Sequence, residues 1–321
     1  YIRKRPFSKI PSPKSSPDAI FITSCSTAPY APSLKVIHDN IHLVDLQAGI
    51  DALYCLGGMP IHMVLPHAPT YPAFDKLKNI SIHTFSGPHP SGNVGYHIAN
   101  IHPIENKDSN VWYVALQDVI SIGKLFMTGK IYDKKIISIG GSPDDANNRH
   151  VLISRGTLIS DILLKNTISE DYRIISGDML SGERVSSDCA IGFYHDTISI
   201  LKNTFKREFM GWITPGFRKY SISRTFLSSL FPRRNLRFST AMNGGERTIV
   251  PIGFIEKMCN LDILPTMLLK SIIAKDIEMM EELGIYECAS EDFTLCAFAD
   301  ASKMGIVSII QAGLDYAEVE G

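Results

Sequence analysis

Residues Ser86–Ile98 read SGPHPSGNVGYHI, with three glycines, two prolines and two histidines directly after the apolar run Ile80–Phe85. Glycine permits positive φ or close backbone approach. Pro88 and Pro90 stiffen the entry and hold each preceding residue out of the α region. A loop of this make-up after a strand belongs at the carboxyl edge of an α/β sheet, where ligands or partners sit. A tight turn that only reverses the chain is the plain alternative. Gly87 and Gly92 have the glycine spacing of a P-loop, but Asn93 replaces its lysine and Val94 its Ser/Thr. The dinucleotide pattern G-x-G-x-x-G also fails, because Gly87 and Gly92 are too far apart. The loop is therefore neither an NTP loop nor an NAD loop.

Around this loop, apolar runs alternate with helical spacing. Ala19–Thr23, Ile61–Leu65, Ile80–Phe85, Val111–Ala115 and Ile136–Ile139 read as five strands. Leu43, Leu46, Ile50 and Leu53 recur at helical spacing up to Gly57-Gly58, residues 71–79 suit a short helix, and Val119–Met127 suits another before Gly129. Such alternation predicts a parallel, doubly wound sheet. Its strand ends would gather Ser24–Thr27, Ser86–Gly95 and Gly140-Gly141 at one edge.

From Arg149 the pattern shifts to short strands at Val151–Ser154, Tyr172–Ser176, Ile191–Tyr194 and Ile198–Leu201, with one helix over 158–164. This predicts a small α+β module. Residues 211–247, with Trp212, Pro215-Gly216, Pro232-Arg233-Arg234 and Asn243-Gly244-Gly245, show little periodicity and read as a functional loop region or a wrap around another module. Leu261–Gly284 reads as one helix with Pro265 near its start, and Ile306–Ala317 as a second amphipathic helix. The lead-in 1–17 carries four prolines that forbid a regular helix and suits an arm lying across another surface.

The 321 residues suggest two or three domains, and 45% hydrophobic with 20% charged content is that of a soluble globular protein. No apolar run approaches the ~20 residues that span a bilayer. A first residue Tyr1 rather than Met reads as an internal or trimmed fragment without signal peptide. Six scattered cysteines without a CxxC pair argue against a disulfide framework or a closed zinc site.

Net charge is −1, but it is unevenly placed. Residues 1–14 hold Arg3, Lys4, Arg5, Lys9 and Lys14 with no acid; residues 202–247 hold ten Lys/Arg against two Glu; residues 276–320 hold eleven Asp/Glu against one Lys. Such asymmetry implies distinct docking faces, or two signs that meet within the fold. The arm has too few aromatics for a nucleic-acid interface.

His83, His89, His97 and His102 lie within twenty residues, without helical i,i+4 spacing and without H-E-x-x-H. No G-x-S-x-G elbow is present. Asp144-Asp145 and Glu281-Glu282 read as solvated surface. Cys288 and Cys296 are too few for an iron–sulfur cluster, since Ala299, Asp300 and Ala301 stand where another thiolate would be wanted. No self-contained active site or metal site is expected.

RPFSKIP (Arg5–Pro11), SGPHPSGNVGYHI, QDVISIGKLFMTGK (Gln117–Lys130), RIISGDMLSG (Arg173–Gly182), REFMGWITPG (Arg207–Gly216), NGGERTIVPIG (Asn243–Gly253) and LDILPT (Leu261–Thr266) resemble the A subunit of the bacterial sodium-translocating NADH:quinone oxidoreductase. The resemblance runs from Arg5 to Gly321. It implies a Rossmann-like domain (1–148, with the arm), a ubiquitin-like β-grasp module of SLBB type plus the irregular basic segment (149–247), and a helical domain (248–321). It also implies an N-terminal domain that this chain lacks. The implied function is that of a peripheral subunit, on the cytoplasmic face of the inner membrane, of a complex that oxidises NADH, reduces ubiquinone and exports Na⁺. Partners would be the other subunits, above all the membrane-embedded B subunit. Flavins and the 2Fe-2S centre would reside in those subunits, with none bound here. Candidate quinone or interface residues are Arg3, Arg5, Phe7 and Lys9, with Gly87, His89, Gly92 and His97 as a second patch. Arg or His would donate to a quinone carbonyl and Phe7 would stack on the ring. A cofactor-free assembly scaffold and a vestigial flavin site are the alternatives.

Overall fold

The computed structural model describes residues 1–24, 26–141, 148–163, 169–204, 210–211, 213–217, 219–231 and 238–321. Asp144-Asp145, Trp212 and Pro232-Arg233-Arg234 lie outside the described residues.

The first 128 residues run β1 (Arg3–Arg5), β2 (Ala19–Thr23), α1 (Leu34–Asp39), α2 (Leu43–Tyr54), β3 (Ile61–Pro66), β4 (Ser81–Phe85), α3 (Val94–Ile101), β5 (Val111–Ala115) and α4 (Leu116–Thr128). The strands form one sheet in the order β1-β5-β2-β3-β4. Four are parallel, and β1 runs antiparallel along β5 with Arg3 opposite Tyr113. Residues 71–79, expected as a short helix, form only a 3-10 turn at Phe74–Lys76.

β2 is apolar and buried from Ala19 to Ile22 because both faces of the sheet are covered. Ile20 and Ile22 point into a core with Leu46, Ile50 and Val119 of the flanking helices. Ala19 and Phe21, on the opposite face by the two-residue period of a strand, join a core with Val94, Leu268, Phe293 and Leu314. Helices α2 and α4 cross with their backbones touching. A Cβ on Gly123 would lie 1.8 Å from the carbonyl oxygen of Asp45. Gly123→Ala is therefore expected to cost about 2 kcal/mol by forcing the helices apart, read as a lower urea midpoint at unchanged m.

The second sheet holds β6 (Lys134–Gly140), β7 (Arg149–Ser154), β8 (Tyr172–Ser176), β9 (Glu183–Val185) and β10 (Thr197–Lys202) in the order β7-β6-β10-β8-β9, with α5 (Ile159–Ile162) between β7 and β8. Only the β6–β10 pair is parallel. The sequence expectation fails at two places here. Ile136–Ile139 is not a fifth strand of the parallel sheet: β1 already occupies the free edge of β5, and β6 turns away to bury Ile137 and Ile139 in a separate core with Ile198 and Ile200. Gln117, in the first turn of α4, fixes that departure through paired bonds with the backbone of Ile136, at 2.8 and 2.9 Å. Ile191–Tyr194 is a turn, not a strand, closed by the Ser176 hydroxyl accepting from the Gly192 amide at 2.8 Å.

The C-terminal region is helical: α6 (Phe254–Met258), α7 (Pro265–Ala274), α8 (Ile277–Glu282), α9 (Thr294–Ala299) and α10 (Ile306–Glu320). Pro265 opens α7 as expected, but 261–284 is not one helix. Lys275 adopts φ 57°, and Asp276 caps α8 by accepting from the Met279 amide at 3.1 Å. No described helix is long and apolar enough to cross a membrane.

Candidate functional site

Strands β5 and β2 are neighbours where the strand order reverses, since the chain steps from β2 outward to β3 and β4 and then crosses back to β5 on the other side of β2, so their carboxyl ends flank a switch point of the sheet. A cleft of about 890 Å³, including the space open to solvent, lies there. Thr23, Ser24 and Ser26 border it after β2, Ala115 to Asp118 after β5, and Gly92 to Val94 at the start of α3. Arg3 of the arm, Lys135 of β6, and Tyr194 and Asp196 from the turn before β10 close it.

The loop Ser86–Ile98 is built to pack on its surroundings. The Gly92 amide donates to the Thr27 hydroxyl at 3.0 Å, and a Cβ on Gly92 would lie 2.7 Å from the Thr27 nitrogen. Ser91 and Asn93 donate their amides to the carbonyls of Pro88 and Pro90 at 3.0 and 2.8 Å. Three successive amides that could face a phosphate are thus used within the protein. Gly95 admits Asp292, whose carboxylate oxygen would stand 2.4 Å from a Cβ there. The expected gathering of the segment after β2 with Ser86–Gly95 is present at its described residues, through Thr27 against Gly92 and His89. Gly140-Gly141 instead sits in the second sheet, with Tyr30 packed on Gly140.

The eight candidate residues separate into distinct roles. Arg5 is fully buried, donating to Glu291 at 2.8 Å and to Asp292 at 3.1 Å. Burial opposes its charge, but the two carboxylates outweigh that and raise its pKa. Phe7, at φ 73°, meets Tyr286 edge-on with ring centroids 6.0 Å apart, and Lys9 pairs with Glu318. These three bind the arm to the helical region, so part of the basic lead-in and part of the acidic C-terminus meet within the fold.

Arg3 differs. Its guanidinium lies between the rings of Tyr113 and Tyr194, 4.8 and 4.6 Å from their centroids. Among the described residues no carboxylate or carbonyl accepts from it. Gly87, at φ 131°, accepts from the Ser91 hydroxyl at 2.9 Å. His89 Nδ1 sits 3.2 Å from the Thr27 hydroxyl, while its buried Nε2 has no partner among the described residues. His97 is buried, with Nε2 2.9 Å from the Ser91 carbonyl, which fixes the proton there, and its ring on Phe85 at 4.9 Å. Burial pushes its pKa down to about 4 against the Ser91 bond. Of the eight, Arg3 and Gly92 line the cleft, one from each patch.

The histidines do not converge. His83 pairs with His62 at 3.1 Å, and among the described residues no three His, Cys, Asp or Glu groups are placed to hold a metal. Sequence reasoning missed Lys135 and Asp196. Lys135 is buried, donates to the carbonyls of Tyr194 and His195 at 3.3 and 3.1 Å, and has its pKa lowered by burial. Burial likewise raises the Asp196 carboxyl, against the Lys135 charge. Nothing in the local sequence separates Lys135 from its exposed neighbour Lys134. Its burial in β6 follows from the second sheet, which the apolar run did not announce.

Residues 1–131 match the family described as the NqrA second alpha/beta domain. Across 321 residues the chain is 36% identical to the NqrA subunit of the Na(+)-translocating NADH-quinone reductase of Histophilus somni, covering all of this chain and 71% of that one. It is 38% identical over 322 residues to the same subunit of Haemophilus influenzae, with the same coverage. Among solved structures, an air-oxidised NAD+-reducing NiFe-hydrogenase aligns at TM-score 0.45 and 11% identity, over 93% of this chain and 54% of that one. The likeness to the two subunits spans the parallel sheet, the second sheet and the helical region alike, and the chain belongs to the NqrA family, the A subunits of the Na(+)-translocating NADH-quinone reductase, an oxidoreductase complex.

Proposed function

We propose that the cleft at the β2–β5 switch point receives the headgroup of ubiquinone, and that the chain docks on the membrane-embedded B subunit at the cytoplasmic face of the inner membrane. Arg3 is the observation that carries this reading: a guanidinium held between two aromatic rings, at the cleft wall, with its donors unclaimed by any described residue. A quinone needs an apolar slot with one or two donors. Ile37, Val94, Val114 and Leu116 supply the slot, and Arg3 supplies the donor to a ring carbonyl. Arg5 and Phe7 serve by holding the arm in place.

The flavins and the 2Fe-2S centre belong to partner subunits in this proposal. The internally bonded amides of the Ser91–Asn93 loop weigh against a flavin phosphate. The finer fold assignment is part of the same reading: a Rossmann-like first sheet and a ubiquitin-like β-grasp (SLBB-type) second sheet, for which the order β7-β6-β10-β8-β9 with its single parallel pair speaks. So is a division near residues 148 and 247, with β6 lent to the second unit.

Titration of the chain with a short-tailed ubiquinone, followed by ligand-detected NMR, tests the proposal. Saturable, competable binding is expected, weakened about tenfold in Arg3→Gln by loss of one charged donor. Absence of such binding favours the second reading, an assembly scaffold without quinone contact, which the burial of Arg5 between arm and helices supports.

A further inference from the structure

We propose that the tip made by the end of α4 and the turn after it, Leu125–Ile131, is a lipid-contacting surface that inserts into the interface of an anionic bilayer. All seven residues of this tip are exposed. Phe126 is 72% exposed, Met127 58% and Ile131 79%. Gly129 ends the helix at φ 69°, and a side chain there would meet nothing within 4 Å.

The charged side chains along this stretch of sequence are mostly positive. Lys124, Lys130 and Lys134 lie along it, and Asp133 is the one acid between Lys124 and Lys135. Lys124 shares Asp45 at 3.7 Å, whereas among the described residues Lys130 and Lys134 have no acidic partner. Apolar side chains on an exposed helix end suit a soft partner that closes around them, and the lysines match lipid phosphates beside the insertion. A contrast lies within the same chain. Val319 is exposed to 77%, yet it stands between Glu318 and Glu320 and would be repelled from such a surface. The inference does not depend on the quinone site and needs no other chain of the complex.

The test is co-sedimentation of the full chain with vesicles of phosphatidylglycerol mixed into phosphatidylcholine, beside vesicles of phosphatidylcholine alone. The chain is expected to partition onto the anionic vesicles and to be released by salt. F126S/I131S should weaken that partition by about tenfold. K130E/K134E should remove the preference for anionic lipid, and V319S should change nothing. All the changed side chains are exposed, so circular dichroism should show an intact fold. The proposal is overturned if the chain binds neither vesicle, or if F126S/I131S binds as well as the unaltered chain. It is equally overturned if that variant keeps its vesicle binding but no longer joins the other subunits, which would make the tip a protein contact.

Discussion

Arg5→Ala is expected to lower the unfolding free energy by about 3–5 kcal/mol, the cost of leaving a buried carboxylate without its counter-charge. Arg5 has no exposed surface, and Asp292 is 5% exposed. Asp292 is bound from three sides, by Arg5, by the Ala289 amide at 3.2 Å and by the Asn93 side chain at 3.4 Å. Removing the guanidinium leaves two neutral donors for a charge that burial already disfavours. Asp292 should then take up a proton, and stability should become steeply pH-dependent in the carboxylate range. The loss is read as a drop in urea midpoint. Asp292→Asn in the same background should recover part of it, because the unpaired charge is gone. An unchanged midpoint in Arg5→Ala would mean that the arm is not locked to the helical region in solution.

Stability should also fall by about 3 kcal/mol between pH 6.5 and pH 4 through His97 alone. Its folded pKa of about 4 lies below the unfolded value, so between the two the unfolded chain binds the extra proton. The contribution is whole above pH 6.5 and is lost as pH falls through the folded value. His62, His89 and His195 are shifted the same way by burial and add to the slope. His97→Gln keeps a donor for the Ser91 carbonyl and has no proton to gain. Urea midpoints at pH 7 and pH 4.5 should therefore differ less in this variant than in the unaltered chain, and an equal difference would remove His97 as the cause.

The first sheet was legible because its central strands are buried on both faces and read as unbroken apolar runs. The same feature misplaced β6: an apolar run reports burial, not which sheet does the burying. What decided the matter was β1, whose sequence Arg3-Lys4-Arg5 carries no strand signature and whose place at the sheet edge depends on contacts nearly three hundred residues away. The break at Lys275 was readable in part, from Asp276 three residues before Met279, but a left-handed lysine leaves no mark in sequence. At the site, glycine and proline content located the loop, and the charge asymmetry left open that opposite signs meet internally, as Arg5 and Lys9 do with Glu291, Asp292 and Glu318. Which arginine is buried and which lines the cleft could not be read, because Arg3 and Arg5 are two apart and share a strand face.

Photolabelling with an azido-substituted short-chain ubiquinone, mapped by peptide mass spectrometry, tests the cleft most directly. Label is expected on the peptides that carry Arg3, Ser24 to Pro32, or Asn93, and unmodified ubiquinone should suppress it. Suppressible label confined to residues 202–247, or to helical-region peptides that lack Glu291, would contradict a quinone site in the cleft, as would label that no excess of ubiquinone displaces.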